Sequence, residues 1–171
     1  MEGEYKSFED KAKRIIESNN YMVTATTDKR GNVWAATVSY VHDKDYNFYF
    51  LSPIDSRHGA NIIDTAKIAF EIFDSRQKIG SADGVQAEGK AVFAPDDALE
   101  EIIKIYVKKF FPNSSVPATE RYPPENYRGA AEFRFFKIKL SGLFVTGEDI
   151  SVLGAFAKSN ARRVSIDPKK I

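Results

Sequence analysis

SPIDSRHGAN, residues Ser52–Asn61, stands between two segments of different character. Before it, Tyr46–Leu51 reads as strand; after it, Ala60–Ala66 is apolar and helix-compatible. Ser and Asp ahead of such a segment are start signals, because their side-chain oxygens accept the unpaired amide hydrogens of a first helical turn. Asp55 or Ser56 is therefore the cap. Arg57 and His58 fall in that first turn, where the helix dipole disfavours cations. Two basic residues placed against the dipole point to an anion, such as a phosphate, held there with them. A basic surface turn is the plainer alternative.

Upstream of the turn the chain is strand-rich. Tyr21–Thr27 is alternating and β-branched, Asp28–Asn32 is a turn in which Gly31 supplies positive φ, and Val33–Val41 follows. A second turn at His42–Asp45 leads into Tyr46–Leu51, so the three segments read as an antiparallel meander. In the middle strand Trp34, Ala36, Val38 and Tyr40 share one face, and Ala35, Thr37, Ser39 and Val41 the other. A small, hydroxylated face suits a flat ligand lying close to the backbone; it equally suits solvent. Further upstream, Ser7–Asp10 resembles a capping box, and Phe8, Ala12, Ile15 and Ile16 recur at helical spacing up to Asn19-Asn20.

Downstream, Lys67–Phe73 is a strand with Ile68, Phe70 and Ile72 on one face, and 74–83 is a polar loop containing Gly80 and Ser81. In the strand Gly84–Phe93, Gly89 marks a bulge or a barrel corner. A helix begins at Pro95-Asp96-Asp97, carries Leu99, Ile102, Ile103, Tyr106 and Phe110 on one stripe, and stops at Pro112. Residues 112–129, with four prolines, are an irregular connection that is functional, mobile or folded over a partner. Glu132–Leu140 is a strand with Phe136, Ile138 and Leu140 inward, and Leu143–Thr146 pairs as a further one. The tail from Ile150 is basic through Arg162, Arg163, Lys169 and Lys170.

Across 171 residues, 13% aromatic content in short Val/Ile/Thr-rich runs favours a mainly β core with flanking helices, an α+β chain. One domain is expected over 1–171: an N-terminal helix (1–20), a core (21–94), a helix and Pro-rich loop (95–131), closing strands (132–149) and a tail (150–171). A net charge of +1 argues against nucleic acid as a partner. With no cysteine, disulfides, thiolate metal sites and thiol nucleophiles are excluded, and two His make a His-rich metal site improbable. The acidic N-terminus lacks the apolar stretch of a signal peptide, and no run reaches the ~20 apolar residues that span a bilayer. The expectation is a cytoplasmic protein without membrane contact.

FYFLS at 48–52, SRHGANI at 56–62, KIAFEIF at 67–73 and GVQAEGKAVF at 84–93 occur in an order that resembles the pyridoxamine 5′-phosphate oxidase-like proteins, which have the FMN-binding split-barrel fold. The long helix ending in KKFFP fits the same pattern. The resemblance implies a Greek-key split β-barrel of six or so antiparallel strands that forms a homodimer, with FMN in two sites shared between subunits. Ser56, Arg57 and His58 resemble the family's phosphate-binding turn, with Asn61 in the same turn. Thr37, Val38 and Ser39 would lie under the isoalloxazine ring and give it main-chain hydrogen bonds. Leu51 and Ser52 would flank the phosphate chain, and Gln86 matches a Gln that reaches the flavin in relatives.

Departures from the family pattern narrow the implied activity. The segment Ala36–Val41 has no charge, and the tail has neither the Trp nor the His of true pyridoxamine phosphate oxidases, so oxidation of a vitamin B6 phosphate is not implied. His58 stands where Lys is usual. The resemblance implies a flavin-dependent oxidoreductase acting by hydride transfer on an unassigned small substrate, with no residue standing out as a dedicated acid or base and no metal. The alternatives are a non-catalytic flavin, deazaflavin or haem binding or sensing protein, and a cofactor-free dimeric scaffold. Haem chemistry needs an axial His, for which only His42 and His58 exist.

Overall fold

The computed structural model of the chain describes residues 7–78, 83–146 and 163–171. Gly80, Ser81, Arg162 and the first part of the basic tail lie outside the described residues. In chain order the elements are α1 (Phe8–Ser18), β1 (Tyr21–Thr27), β2 (Val33–Ser39), β3 (Val41–His42), β4 (Phe48–Pro53), α2 (Arg57–Thr65), β5 (Lys67–Phe73), β6 (Gly84–Phe93), α3 (Leu99–Phe110), α4 (Ala118–Arg121), β7 (Phe133–Thr146) and β8 (Arg163–Ser165). Every pairing is antiparallel, in the order β2-β1-β5-β6-β7-β4-β3, with β8 on the far half of β7. The sheet curls until β2 approaches β4, making a split barrel with flanking helices.

The curled antiparallel sheet with flanking helices is as expected, with eight strands among the described residues. The expected strand Val33–Val41 breaks at Tyr40, and the expected meander breaks with it: β2 pairs with β1, whereas β3 pairs with β4. The cause is the Tyr40 side chain. Its ring is fully buried in the core, and its hydroxyl donates to the Ile16 carbonyl of α1 at 2.6 Å. Glu132–Leu140 and Leu143–Thr146, read as two strands, are one. Ser141 is an extra residue in β7 opposite the Glu88–Gly89 step, which shifts the register. That bulge switches which residues point inward, from Phe136 and Ile138 before it to Leu143 and Val145 after it. Gly89 permits the close approach, since a Cβ there would collide with the Lys139 carbonyl oxygen.

A helix closes each mouth of the barrel. At the mouth where β1 starts and β7 ends, α1 inserts Ala12, Ile15 and Ile16 against Met22, Val38 and Val145. Lys11, buried on the same helix, ion-pairs with Asp83 at 2.6 Å and donates to the Thr146 carbonyl at 2.9 Å, tying α1 to the ends of β6 and β7. At the opposite mouth, where β4 ends, α2 places Ile62 in the core, and its buried Asn61 donates from Nδ2 to Thr26 Oγ1 on β1 at 3.1 Å.

Outside the barrel the two halves differ. Helix α3 covers the outer face of β3, β4 and β7, packing Leu99, Ile102, Ile103 and Val107 on Val41, Tyr49 and Phe135. The connection at 112–129 folds over this same layer of its own chain, with Tyr122 and Tyr127 packed, mostly edge-on, around Tyr106 and Phe135. On the other half, the outer face of β2, β1, β5 and β6 has no cover among the described residues. It presents Val33 (65% exposed), Tyr21 (62% exposed), Val23 and Phe73, with Ala35, Ala25 and Ala69 aligned across three strands.

Candidate functional site

The SPIDSRHGAN turn folds as its residue types dictate. Ser56 is the N-cap of α2, accepting the Gly59 N–H at 3.1 Å and donating to the Pro53 carbonyl at 2.8 Å. Gly59 allows the turn to close, because a Cβ would sit 2.6 Å from the Pro53 oxygen and 2.9 Å from the Ile54 oxygen. Arg57 and His58 occupy the first two helical positions, whose N–H groups have no partner within a helix. Neither Arg57 nor His58 forms an ion pair among the described residues. The Arg57 guanidinium lies on the Trp34 ring, 4.3 Å from its centroid.

His58 bends back onto the end of β4. Its Nε2 is 2.7 Å from Ser52 Oγ and 3.4 Å from Ser56 Oγ. Burial pushes its pKa below the ordinary histidine value. A serine this close to an imidazole resembles a nucleophile–base pair, but Ser52 is only 4% exposed, and no carboxylate orients the imidazole among the described residues. Anion binding suits the arrangement better. Arg134, which pairs with Ser52 across β4 and β7, is spent elsewhere: its guanidinium donates to the Gly129 carbonyl, approaches Asp96 and covers the Phe93 ring.

The depressed pKa has a testable consequence. Folding strips protons from His58, so its stabilising share is full above the unfolded value of about 6.5 and is lost as pH falls through the lower folded value. Thermal melts of the ligand-free protein are expected to drop between pH 7.5 and 5.5, and less so for His58→Asn. His42, also depressed mainly by burial, retains its own share in that variant. A variant with an unaltered slope would remove His58 from this balance.

Strand β2 forms one edge of the sheet. The Tyr40 N–H bonds the Asn20 carbonyl and the Asp28 N–H bonds the Asn32 carbonyl, which fixes the alternation. Trp34, Ala36 and Val38 direct their backbone groups at β1; Ala35, Thr37 and Ser39 direct theirs away from it. Thr37 and Ser39 thus present main-chain donors and acceptors at an edge that no strand among the described residues pairs with. Val38 does neither: its side chain is in the core and its backbone faces β1. The Ser39 hydroxyl lies 3.4 Å from Tyr106 Oη of α3.

Of the remaining candidates, Leu51 packs into the layer under α3, away from the turn. Asn61 belongs to the turn by sequence, but its amide is used on Thr26. Gln86 stands on β6 at the bare face, donating from Nε2 to Glu71 at 2.7 Å, and its Oε1 is buried with no partner among the described residues. The structure therefore brings Ser52, Ser56, Arg57 and His58 together, sets Thr37 and Ser39 along the adjoining edge, and leaves Gln86 on the outer face. Trp34, Gly59 and Tyr106 belong to this region without having been singled out by residue pattern. A glycine inside a first helical turn was the available signal for Gly59; nothing local marks the other two. Among the described residues no cluster of His, Asp and Glu could hold a metal, and no helix is long and apolar enough to cross a membrane.

A barrel stoppered by a helix at each mouth, with a bare edge strand beside the start of the second helix, defines the split-barrel class. Within that class the chain belongs to the pyridoxamine 5′-phosphate oxidase family, whose model matches residues 8–146. A UPF0306 protein of Klebsiella pneumoniae (strain 342) is 30% identical over 94 residues, which cover 54% of this chain and 64% of that protein. The chain thus spans just under two-thirds of that curated relative. Among solved structures, a heme binding protein from Mycobacterium smegmatis superposes with a TM-score of 0.68 at 16% identity, over 98% of this chain and 60% of that one. HutZ, the heme storage protein from Vibrio cholerae, gives a TM-score of 0.62 at 14% identity, over 78% of this chain and 90% of that one.

Proposed function

We propose that the chain binds flavin mononucleotide as a homodimer and acts as a flavin-dependent oxidoreductase on a small substrate. One observation carries this reading. Among the described residues, first-turn amides with no helical partner and a guanidinium without a carboxylate partner adjoin an edge strand whose outward backbone groups are unpaired. The residues fit the group. Arg57 and the amides of Arg57 and His58 hold the phosphate, with His58 a weak cation at neutral pH because its pKa is depressed. Thr37 and Ser39 offer main-chain hydrogen bonds to the polar edge of the ring. A bound flavin supplies hydride and electron transfer, while the protein supplies orientation and exclusion of water.

The second copy of the chain covers the outer face of β2, β1, β5 and β6. Exposed aromatic and aliphatic side chains grouped on one sheet face, though interspersed with Lys67, Glu71 and Glu88, are unusual on a monomer. The flat alanine row lets two backbones approach, and the orphaned Gln86 Oε1 lies at that face.

Haem is the second reading, favoured by the likeness to the two heme proteins. The placement of the chain's two histidines weighs against it. His58 Nε2 is engaged with Ser52, and His42 is stacked on Tyr46 with Nδ1 against the Asp43 carbonyl.

Mass spectrometry and absorbance of the small molecules released on denaturing the purified protein test the choice. FMN, with bands that bleach under reduced nicotinamide and return in air, is the expected result. Release of haem, or a protein that takes up no FMN when it is supplied, overturns the proposal.

A further inference from the structure

Trp34 is the only tryptophan of the chain, and it stands 40% exposed on the edge strand. An indole so placed adds little to the core, yet one face of it is occupied. The Arg57 guanidinium carbon lies 4.3 Å from the ring centroid, within the range where a cation is held by the ring quadrupole. We infer that Trp34 is the positioning residue for Arg57, holding its guanidinium ready for a terminal phosphate at the start of α2. This rests on the phosphate-binding reading above and adds to it a residue of no evident affinity for anions.

Three features support the assignment. First, the stack leaves the phosphate contacts open. A guanidinium uses its flat face on an aromatic ring and its five in-plane N–H donors on an oxyanion, so both contacts are made together. Second, Arg57 needs an anchor. The dipole of α2 repels a cation from its own first turn, and no carboxylate among the described residues holds this one by an ion pair. The electron-rich ring face offsets that repulsion without competing for the anion, as a carboxylate would. Third, platform and helix are braced to each other. Asn61 of α2 donates to Thr26 Oγ1, which in turn donates to the Trp34 carbonyl at 3.4 Å.

The experiment compares FMN with riboflavin, which has the same ring and no phosphate. Both are titrated by flavin fluorescence into the full chain stripped of bound ligand, in wild type, Trp34→Phe, Trp34→Leu and Trp34→Gln. Trp34→Leu and Trp34→Gln are expected to weaken FMN by about three- to tenfold, the range of a partly exposed cation–π contact, and to leave riboflavin unchanged. Trp34→Phe, which keeps a ring face, should recover most of the loss. Equal weakening of both flavins, or none of FMN, overturns the inference. A wild-type protein that binds FMN no more tightly than riboflavin overturns the phosphate reading itself, and this inference with it; that failure is read from the wild type alone. Two variants with different side chains guard against a folding defect in one, and unchanged circular dichroism identifies the folded ones.

Discussion

Arg57→Ala is expected to lower FMN affinity by about ten- to a hundredfold, with little effect on folding. That range reflects the ~1.5–3 kcal/mol by which a charge-assisted hydrogen bond exceeds no bond at all. Arg57 is exposed and touches its own chain chiefly through the Trp34 ring, so its removal opens no cavity and strands no buried partner. The loss should be confined to phosphate-bearing ligands. Isothermal titration of the stripped protein with FMN measures the affinity, and a urea titration of the same samples checks stability. Unchanged FMN affinity would refute the phosphate role. A fall in stability that matches the fall in affinity would assign Arg57 to the scaffold instead.

The larger effect is expected at Ala25. It lies at the centre of the bare face, opposite Ala35 on one side and Ala69 on the other. In a two-fold dimer built on that face, residues near the axis meet their own copies, so Ala25→Glu brings two carboxylates together in a desolvated setting. Burying unpaired charge costs several kcal/mol, and dimer affinity should fall by about a thousandfold. Light scattering should then report the 19.2 kDa chain mass, where the proposed wild-type dimer would give twice that. Flavin retention should fall in the same variant if the proposed site is shared, because a lone subunit would then hold only part of it. The protomer itself should remain folded, as a residue on this face points away from the core. A wild type that is already monomeric and holds flavin would remove the shared-site proposal.

Short-range features were legible in the residues. A cap at Asp55 or Ser56, Arg57 and His58 in the first turn, and a bulge or corner at Gly89 each depend on the chemistry of a few neighbours; Ser56 is the cap, and Gly89 borders the bulge. Features that depend on distant partners were not. Nothing near Val33–Val41 tells that Tyr40 will leave the strand; that depends on a core cavity and an α1 carbonyl 24 residues upstream. Leu140 and Leu143 look like two strands because the pattern changes phase between them, and a single inserted residue opposite Gly89 explains the change. Asn61 shares a turn with the basic residues, yet its amide is drawn to Thr26, 35 residues away. The edge position of β2 depends on the sheet order, which local pattern does not encode, and it exposes the main chain of Thr37 and Ser39.

The two stoppered mouths also bear on how such proteins diverge. With α1 seated at one opening and α2 at the other, the barrel interior is filled by the chain's own side chains, and a ligand of this protein would be met on its skin. Core and surface are then subject to separate selection: the interior need only keep its volume and polarity, while the rim is free to be rewritten. Chains on this common frame can therefore diverge as far as this one has from the two heme proteins, at 14–16% identity, without refitting the middle.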